Sequence, residues 1–190
     1  MCVVDTDVSA GKPPLSWEAT QAARVGQAVQ RLRGQRTAAW LANRAGELGL
    51  KMTRQNIADL ENGRRRYVTT AELVVLAAAL NTTPVALAYP EPYGDDDELI
   101  EVLPDVRIPK LRAAQWFCGL TSLPLTDPGE REEYRRNVGQ LRTAREIWDR
   151  EQRLSRVVIP KEDGPLRQQA LERAFDLQNQ IEALREARDA

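Results

Sequence analysis

Apolar residues recur at helical spacing through the first half of the chain. The first run follows Ser16, a good N-cap residue, and stops at Gly34, which predicts a helix ending at about residue 33. The second run begins near Thr37 and stops at Gly49. The side chains predicted to face the core from these two helices are Val25, Val29, Leu32, Leu41, Ala45 and Leu48.

Three more short helices are predicted before residue 90. Thr53 precedes the third, and Thr69 with Glu72 three residues later has the spacing of a capping box for the fourth. Thr83-Pro84 places a cap residue before a proline at the first helical position of the fifth. Their predicted core positions are Ile57, Leu60, Leu73, Leu76, Ala77 and Leu80. Five short helices in succession predict a small all-α domain.

Proline, glycine and acidic residues mark the boundaries of this domain. Residues 1–15 show no periodicity and are predicted to be a flexible arm before a domain at 16–90. Residues 91–105 combine prolines, a glycine and clustered acids, and are interpreted as an acidic linker with at most one or two helical turns. No strand is expected anywhere, so the predicted fold class is all-α.

Residues 106–190 are predicted to form a second helical unit. A helix at 109–119 carries Trp116 and Phe117, a long helix runs from about 126–130 to Leu154, and a last helix follows Pro165. The short turn between the two long helices predicts an antiparallel hairpin. The favoured interpretation is an intramolecular core that includes Trp116 and Phe117, and the alternative is a coiled coil between two subunits.

Composition argues against several classes of function. The chain has no histidine, and it has neither a glycine-rich phosphate loop nor a cluster with metal-ligand spacing, so we expect no enzyme, no cofactor and no metal. Cys118 lies beside Phe117 and is interpreted as a core residue. The sequence shows no apolar run of membrane-spanning length, no signal peptide and no small-molecule site, and two cysteines do not suggest a disulfide framework. We therefore expect a cytoplasmic protein.

The net charge of −1 conceals a strong segregation of charge along the chain. Residues 10–90 hold eleven lysines and arginines against five acids, and residues 106–161 hold twelve against seven. Residues 91–105 hold seven acids and no base. Two basic blocks on either side of an acidic segment indicate two units that face a polyanion.

The segment "MTRQNIADLENGRRR" at 52–66 places polar side chains where a recognition helix would present them to DNA. Arginine can bind guanine, and glutamine or asparagine can bind adenine, through two hydrogen bonds each. Asp59 is open to two interpretations, acceptance from cytosine or orientation of a neighbour. A merely solvated surface is the alternative for the whole segment. The side chains predicted from this pattern to contact bases are those of Arg54, Gln55, Asn56 and Asp59.

Basic residues outside the recognition helix suit contacts with the DNA backbone. The predicted phosphate-contacting residues of the first domain are Arg36, Thr37, Lys51, Arg64, Arg65, Arg66 and Tyr67. Those of the second unit are Arg107, Lys110, Arg112, Arg131, Arg135 and Arg136.

The motifs "VGQAVQRLR", "TAAWLANRA", "MTRQNIADLENGRR" and "LVVLAAALNTTPVAL" resemble the Cro/CI-type helix-turn-helix of phage repressors. The resemblance covers about residues 17–89 and implies a five-helix DNA-binding domain. It also implies that Thr53, together with Arg54, Gln55, Asn56 and Asp59, contacts bases or adjacent phosphates. It also implies an ion pair between Arg33 and Glu61 that ties the first helix to the recognition helix. This sequence departs from the family where "GELGLKM" lengthens the turn, and where Thr37 and Ala38 replace a phosphate-contacting glutamine.

The whole layout resembles the immunity repressors of actinobacteriophages, especially mycobacteriophages. That resemblance implies a repressor that maintains lysogeny in the host cytoplasm and reads an asymmetric operator as a monomer, with both units on double-stranded DNA. The alternative is a dimeric helix-turn-helix regulator or an antitoxin whose C-terminal helices mediate protein–protein interaction.

Overall fold

A computed structural model describes residues 15–93, 99–124 and 127–189. The predicted N-terminal arm, apart from Leu15, and the centre of the predicted linker lie outside these ranges. Within these ranges the chain is mostly helical and contains one small two-stranded sheet. It divides after Phe117 into two compact units. None of the helices in the described ranges combines the length and apolar character needed to cross a membrane.

The first unit begins with the five predicted helices. They are α1 (Trp17–Arg33), α2 (Ala38–Glu47), α3 (Arg54–Glu61), α4 (Thr70–Ala79) and α5 (Pro84–Ala88). The side chains of Ser16, Thr37, Thr53, Thr69 and Thr83 each accept a hydrogen bond from a backbone N–H in the first turn that follows. These caps satisfy donors that a helix leaves open at its start. Four of them were predicted from local sequence, whereas Thr37 was predicted only as the start of a helix.

A single apolar core lies among these helices. It is formed by Val25, Ala28, Val29, Leu41, Ala42, Ile57, Leu60, Leu76, Ala77, Ala79, Leu80 and Leu87. Every predicted core position of the five helices is buried except Leu32 and Leu73, which are partly buried, and Leu48, which is exposed. Leu48 is the C-cap of α2, beyond the last helical turn, so the helical period no longer turns it inward.

The expectation that the chain contains no strand is wrong. Strands β1 (Leu99–Leu103) and β2 (Val106–Pro109) pair antiparallel, with Ile100 opposite Ile108. Asp105 in the connecting turn has a φ of 65°. The hairpin lies on α1, because the Gln21 side-chain nitrogen donates to the backbone oxygen of Glu101 over 2.8 Å. Residues 99–105 are therefore part of the first unit and not of a linker.

The first unit extends beyond the predicted boundary at residue 106. Helix α6 (Lys110–Phe117) follows β2 and contacts both α5 and the hairpin. Phe117 meets Tyr89 edge to face, with ring centroids 5.6 Å apart. The prediction that Trp116 and Phe117 belong to the core of the second unit is thus wrong, because their helix packs on the end of the first.

The second unit contains α7 (Pro128–Asn137), α8 (Gly139–Ser155) and α9 (Pro165–Asp189). The predicted long helix is interrupted at Val138, which has non-helical backbone angles of −103° and 2°. Arg150 hydrogen-bonds Gln180, and Arg185 contacts Glu151 at 2.7 Å. At the end of α8, Arg153 and Arg156 line one pocket with Gln169 and Arg173 near the start of α9, whereas Arg150 reaches Gln180, so the two helices run in opposite directions, as the short turn predicted.

Candidate nucleic-acid interface

Helix α3 is held by its apolar side and presents a polar side to solvent. Ile57 and Leu60 are fully buried and anchor it against α1 and α2. Arg54, Gln55 and Asn56 are exposed in its first turn. The structure therefore brings three predicted base-contacting residues together at the N-terminal end of one rigid helix.

Thr53 and Asn56 form a reciprocal cap at the start of α3. The Thr53 hydroxyl accepts from the Asn56 backbone N–H, and the Asn56 side-chain oxygen accepts from the Thr53 backbone N–H over 2.9 Å and from its hydroxyl over 2.8 Å. Asn56 was predicted only as a base reader. The structure shows that its oxygen also stabilises the helix start, which leaves its amide N–H groups for any contact with a base.

Asp59 accepts hydrogen bonds from two residues predicted to meet DNA. Its Oδ1 accepts from Gln55 Nε2 over 2.8 Å and from an Arg64 nitrogen over 3.3 Å. Of the two roles that the sequence left open, this geometry favours an orienting partner. The aspartate holds one side chain on the helix and one in the loop that follows it.

Arg33 and Glu61 form the ion pair that the family resemblance implied. Arg33 Nε and a terminal nitrogen lie 2.7 Å and 2.8 Å from the two carboxylate oxygens, and the Glu61 side chain is only 6% exposed. The hydrogen bonding to Glu61 raises the pKa of Arg33 above its usual value. The pair joins the C-terminal ends of α1 and α3.

Arg65 forms an ion pair within the domain, so its side chain is not open to a phosphate group. Its guanidinium forms two hydrogen bonds with Glu72 over 2.6 Å and 3.0 Å, and both side chains are about four-fifths buried. Burial raises the pKa of Glu72, but hydrogen bonds from Arg65 and from Thr69 outweigh it, so the pKa lies below its usual value. Arg65 thus ties the loop after α3 to the start of α4. Arg65 is therefore not among the residues proposed to contact phosphate.

The remaining basic residues of this loop are more accessible. Arg64 and Arg66 are 68% and 72% exposed at their side chains, and Arg66 contacts Glu18 at 3.3 Å. Tyr67 and Lys51 are also exposed. Because exposed ion pairs are weak, a phosphate can replace Glu18 as the partner of Arg66, and it can share Arg64 with Asp59, at small cost.

Arg36 and Thr37 organise the turn between α1 and α2. Arg36 donates to the backbone oxygens of Leu32 and Arg33, and its guanidinium lies 4.2 Å from the centre of the Trp40 ring. Thr37 caps α2 through the Trp40 backbone N–H over 3.0 Å. The structure gives both predicted phosphate contacts a role in forming the N-terminus of α2, where backbone N–H groups favour an anion.

The predicted contacts of the second basic block are divided between the two units. Arg107 on β2 and Arg112 on α6 are exposed but belong to the first unit. Lys110 is only 8% exposed, so its predicted role as a surface contact is wrong. Arg131, Arg135 and Arg136 are exposed on α7 of the second unit, and Arg135 pairs with Glu132 at 2.6 Å.

Gly26 is a structural determinant of the interface that sequence reasoning missed. A Cβ atom at this position would overlap the backbone oxygen of Leu60 and lie 2.8 Å from its carbonyl carbon. The absence of a side chain at Gly26 lets α1 approach the backbone of α3 directly. The only local signal was a glycine inside a helical run, and such a glycine has a packing reason where helices cross closely.

Comparison with known proteins returned no match to any family model, curated protein or solved structure.

Proposed function

We propose that this protein is a sequence-specific double-stranded DNA-binding repressor that inserts α3 into a major groove. The observation that carries the proposal is the anchoring of α3. Two fully buried side chains fix the helix, while Arg54 and Gln55 extend from its exposed first turn. Major-groove readout needs such a helix, with hydrogen-bonding side chains near its N-terminus.

The elements around α3 supply contacts to the DNA backbone. The N-terminus of α2 offers backbone N–H groups next to Thr37, and Lys51, Arg64, Arg66 and Tyr67 are exposed on the chain before and after α3. Contacts of this kind fix the position of a protein on the duplex without selecting sequence. The resemblance to Cro/CI-type repressors supports the same arrangement.

The change Gln55→Ala is expected to abolish base preference at one position of the binding site. Loss of one well-placed side-chain contact lowers discrimination there by about 1–3 kcal/mol, which is roughly five- to 150-fold. The measurement is selection of binding sites from random DNA by the wild type and the variant, followed by affinity titration. Gln30→Ala on the exposed part of α1 is the matched control and should keep every preference. An unchanged preference in Gln55→Ala would show that α3 is oriented differently.

A second contact with DNA fits the distribution of positive charge. Arg107 and Arg112 lie in the first unit, and Arg131, Arg135 and Arg136 lie on α7 in the second. We propose that a monomer uses both units on an asymmetric operator, as the resemblance to actinobacteriophage immunity repressors implies. Maintenance of lysogeny is the physiological role that this resemblance supports.

One observation favours a second candidate, a regulator or antitoxin whose C-terminal helices bind a protein. Among the described residues of the second unit, only Ile147 and Ile181 are buried hydrophobic side chains. Large apolar side chains on α8 and α9 remain exposed, namely Leu141, Trp148, Leu166, Leu171 and Phe175. Exposed large apolar side chains that are contiguous often mark a protein–protein interface, and this second candidate requires that they form such a surface.

The molecular mass in solution separates the two candidates. We expect the full chain at micromolar concentration to be a monomer, alone and on its selected DNA site, as measured by sedimentation or light scattering. A stable dimer that Trp148→Ser with Phe175→Ser converts to a monomer would support the second candidate instead. Glu132→Gln, on the exposed surface of α7, is a control that should leave the mass unchanged.

A further inference from the structure

We propose that Asp59 is a positioning residue that fixes the orientation of the Gln55 amide and makes adenine the base that Gln55 selects. This inference rests on the proposed function, since it requires α3 to lie in a major groove. It goes further by assigning a base to one side chain and by identifying the neighbour that determines the choice.

The hydrogen bond between the two side chains admits one orientation of the amide. Gln55 Nε2 lies 2.8 Å from Asp59 Oδ1, one helical turn further along α3. An ionised carboxylate only accepts hydrogen bonds, so the nitrogen of the amide must face Asp59 and its oxygen must point away. The amide oxygen of Gln55 has no hydrogen-bond partner within the described ranges, and the side chain is exposed.

The oriented amide matches adenine better than guanine. One N–H of Gln55 is bound to Asp59, which leaves the oxygen and the second N–H on the outer edge. Adenine offers a donor at N6 and an acceptor at N7, and these two groups complement that edge. Guanine offers acceptors at both O6 and N7, so its O6 would face the Gln55 oxygen without a proton between them.

Arg64 stabilises the aspartate from its other side. The same Oδ1 atom accepts from Arg64 over 3.3 Å, and the Asp59 side chain is 31% exposed. The cation offsets the repulsion between Asp59 and the phosphates of a bound duplex. Loss of Arg64 should therefore weaken binding to every sequence, whereas loss of the Asp59 charge should change which base is chosen.

The test is selection from random DNA with the full chain as wild type, Asp59→Asn, Gln55→Ala and Arg64→Ala. At the position of the DNA site where Gln55→Ala loses its base preference, the wild type should select adenine. Asparagine can donate to the Gln55 oxygen, so Asp59→Asn lets the amide turn over. We expect the adenine-over-guanine ratio there to fall by about tenfold, with other positions unchanged. Arg64→Ala should lower affinity for all sequences and keep that ratio, and thermal melting should confirm that each variant is folded.

Three results would overturn the assignment of Asp59 alone. They are an unchanged ratio in Asp59→Asn, a base other than adenine at the Gln55 position, and a cytosine preference elsewhere that only Asp59→Asn removes. The last would make Asp59 a direct reader. If the wild type selects no sequence at all, both this inference and the proposed function fail. If the wild type selects a specific sequence and Gln55→Ala changes that selection but Asp59→Asn does not, only the inference about Asp59 fails. The proposed function is then still supported.

Discussion

Replacing Gly26 with alanine should destabilise the first unit by about 2 kcal/mol. The added methyl group would overlap the backbone of Leu60, and backbone cannot rotate away as the end of a flexible side chain can. Overpacking of this kind costs about 1–3 kcal/mol, and contact with rigid atoms places the cost at the upper end. The higher helix propensity of alanine offsets this steric cost by at most about 1 kcal/mol. Relief of the overlap requires α3 to move away from α1, so specific DNA binding should weaken as well.

Gly46→Ala is the matched control for this experiment. Gly46 is also inside a helix, α2, and no atom lies within 4 Å of a Cβ built there. Without a steric penalty, the substitution should stabilise the protein by about 0.5–1 kcal/mol. Chemical denaturation of the two variants and the wild type measures both effects. If Gly26→Ala and Gly46→Ala changed the free energy of unfolding in the same direction, α1 and α3 would not be in backbone contact.

The change Glu61→Gln should lower the free energy of unfolding by about 3 kcal/mol. Glutamine keeps the shape of glutamate but loses the charge that balances Arg33, whose side chain is only 15% exposed. Removal of one partner from a buried ion pair costs about 3–5 kcal/mol, because the remaining charge stays desolvated and uncompensated. Residual hydrogen bonding of the amide places the expected loss at the lower end of that range. Denaturant titration at neutral pH and moderate salt provides the measurement.

The exposed pair of Arg44 and Glu47 offers a control on α2. Their nitrogen–oxygen distance is also 2.7 Å, but the side chains are 45% and 63% exposed. Glu47→Gln should therefore cost no more than about 1 kcal/mol. Replacement of both Arg33 and Glu61 by methionine should recover part of the loss seen in Glu61→Gln. If Glu61→Gln cost no more than Glu47→Gln, the pair would contribute little to holding α3.

Both predictions concern residues that the proposed interface does not place on DNA. Gly26 sets how closely α1 approaches α3 at Leu60, and the Arg33–Glu61 pair joins the same two helices at the next residue of α3. A side chain can select a base only if its helix has one fixed orientation. The reason is that misplacement of a polar group by a fraction of an ångström weakens directional hydrogen bonds. Specificity should therefore depend on α1 although α1 supplies no proposed base contact.

The signal for the β-hairpin was present in the sequence but was interpreted incorrectly. Ile100 and Val102 alternate with polar or partly exposed neighbours, and Pro104-Asp105 is a turn dipeptide. The acidic run just before it favoured a linker, and five residues are too few to separate a strand from a helical turn by period alone. The opposite strand and the face of α1 decided between them, and neither is local information.

The break at Val138 had a local signal that the apolar periodicity outweighed, because Asn137, Val138 and Gly139 are all weak helix formers. The position of α6, by contrast, depended on contacts beyond its own segment. Phe117 was expected in an apolar core, and it meets the Tyr89 ring on one side while remaining 49% exposed. Amphipathic character shows that a helix has a buried side, but it does not show which element covers it.

The sequence by itself determined the five N-terminal helices, their caps, most of their core positions and the polar surface of α3. Those features depend on side-chain periodicity and on hydrogen bonds within a few residues, which a single chain segment encodes. The Thr53–Asn56 cap and the Gln55–Asp59 hydrogen bond lie within one helical turn and belong with these local features. The tertiary structure alone decided that Arg65 is held by Glu72 and that Gly26 admits the backbone of α3. Each of these depends on which of several available partners comes within hydrogen-bonding or van der Waals distance, and only packing of the helices determines those distances.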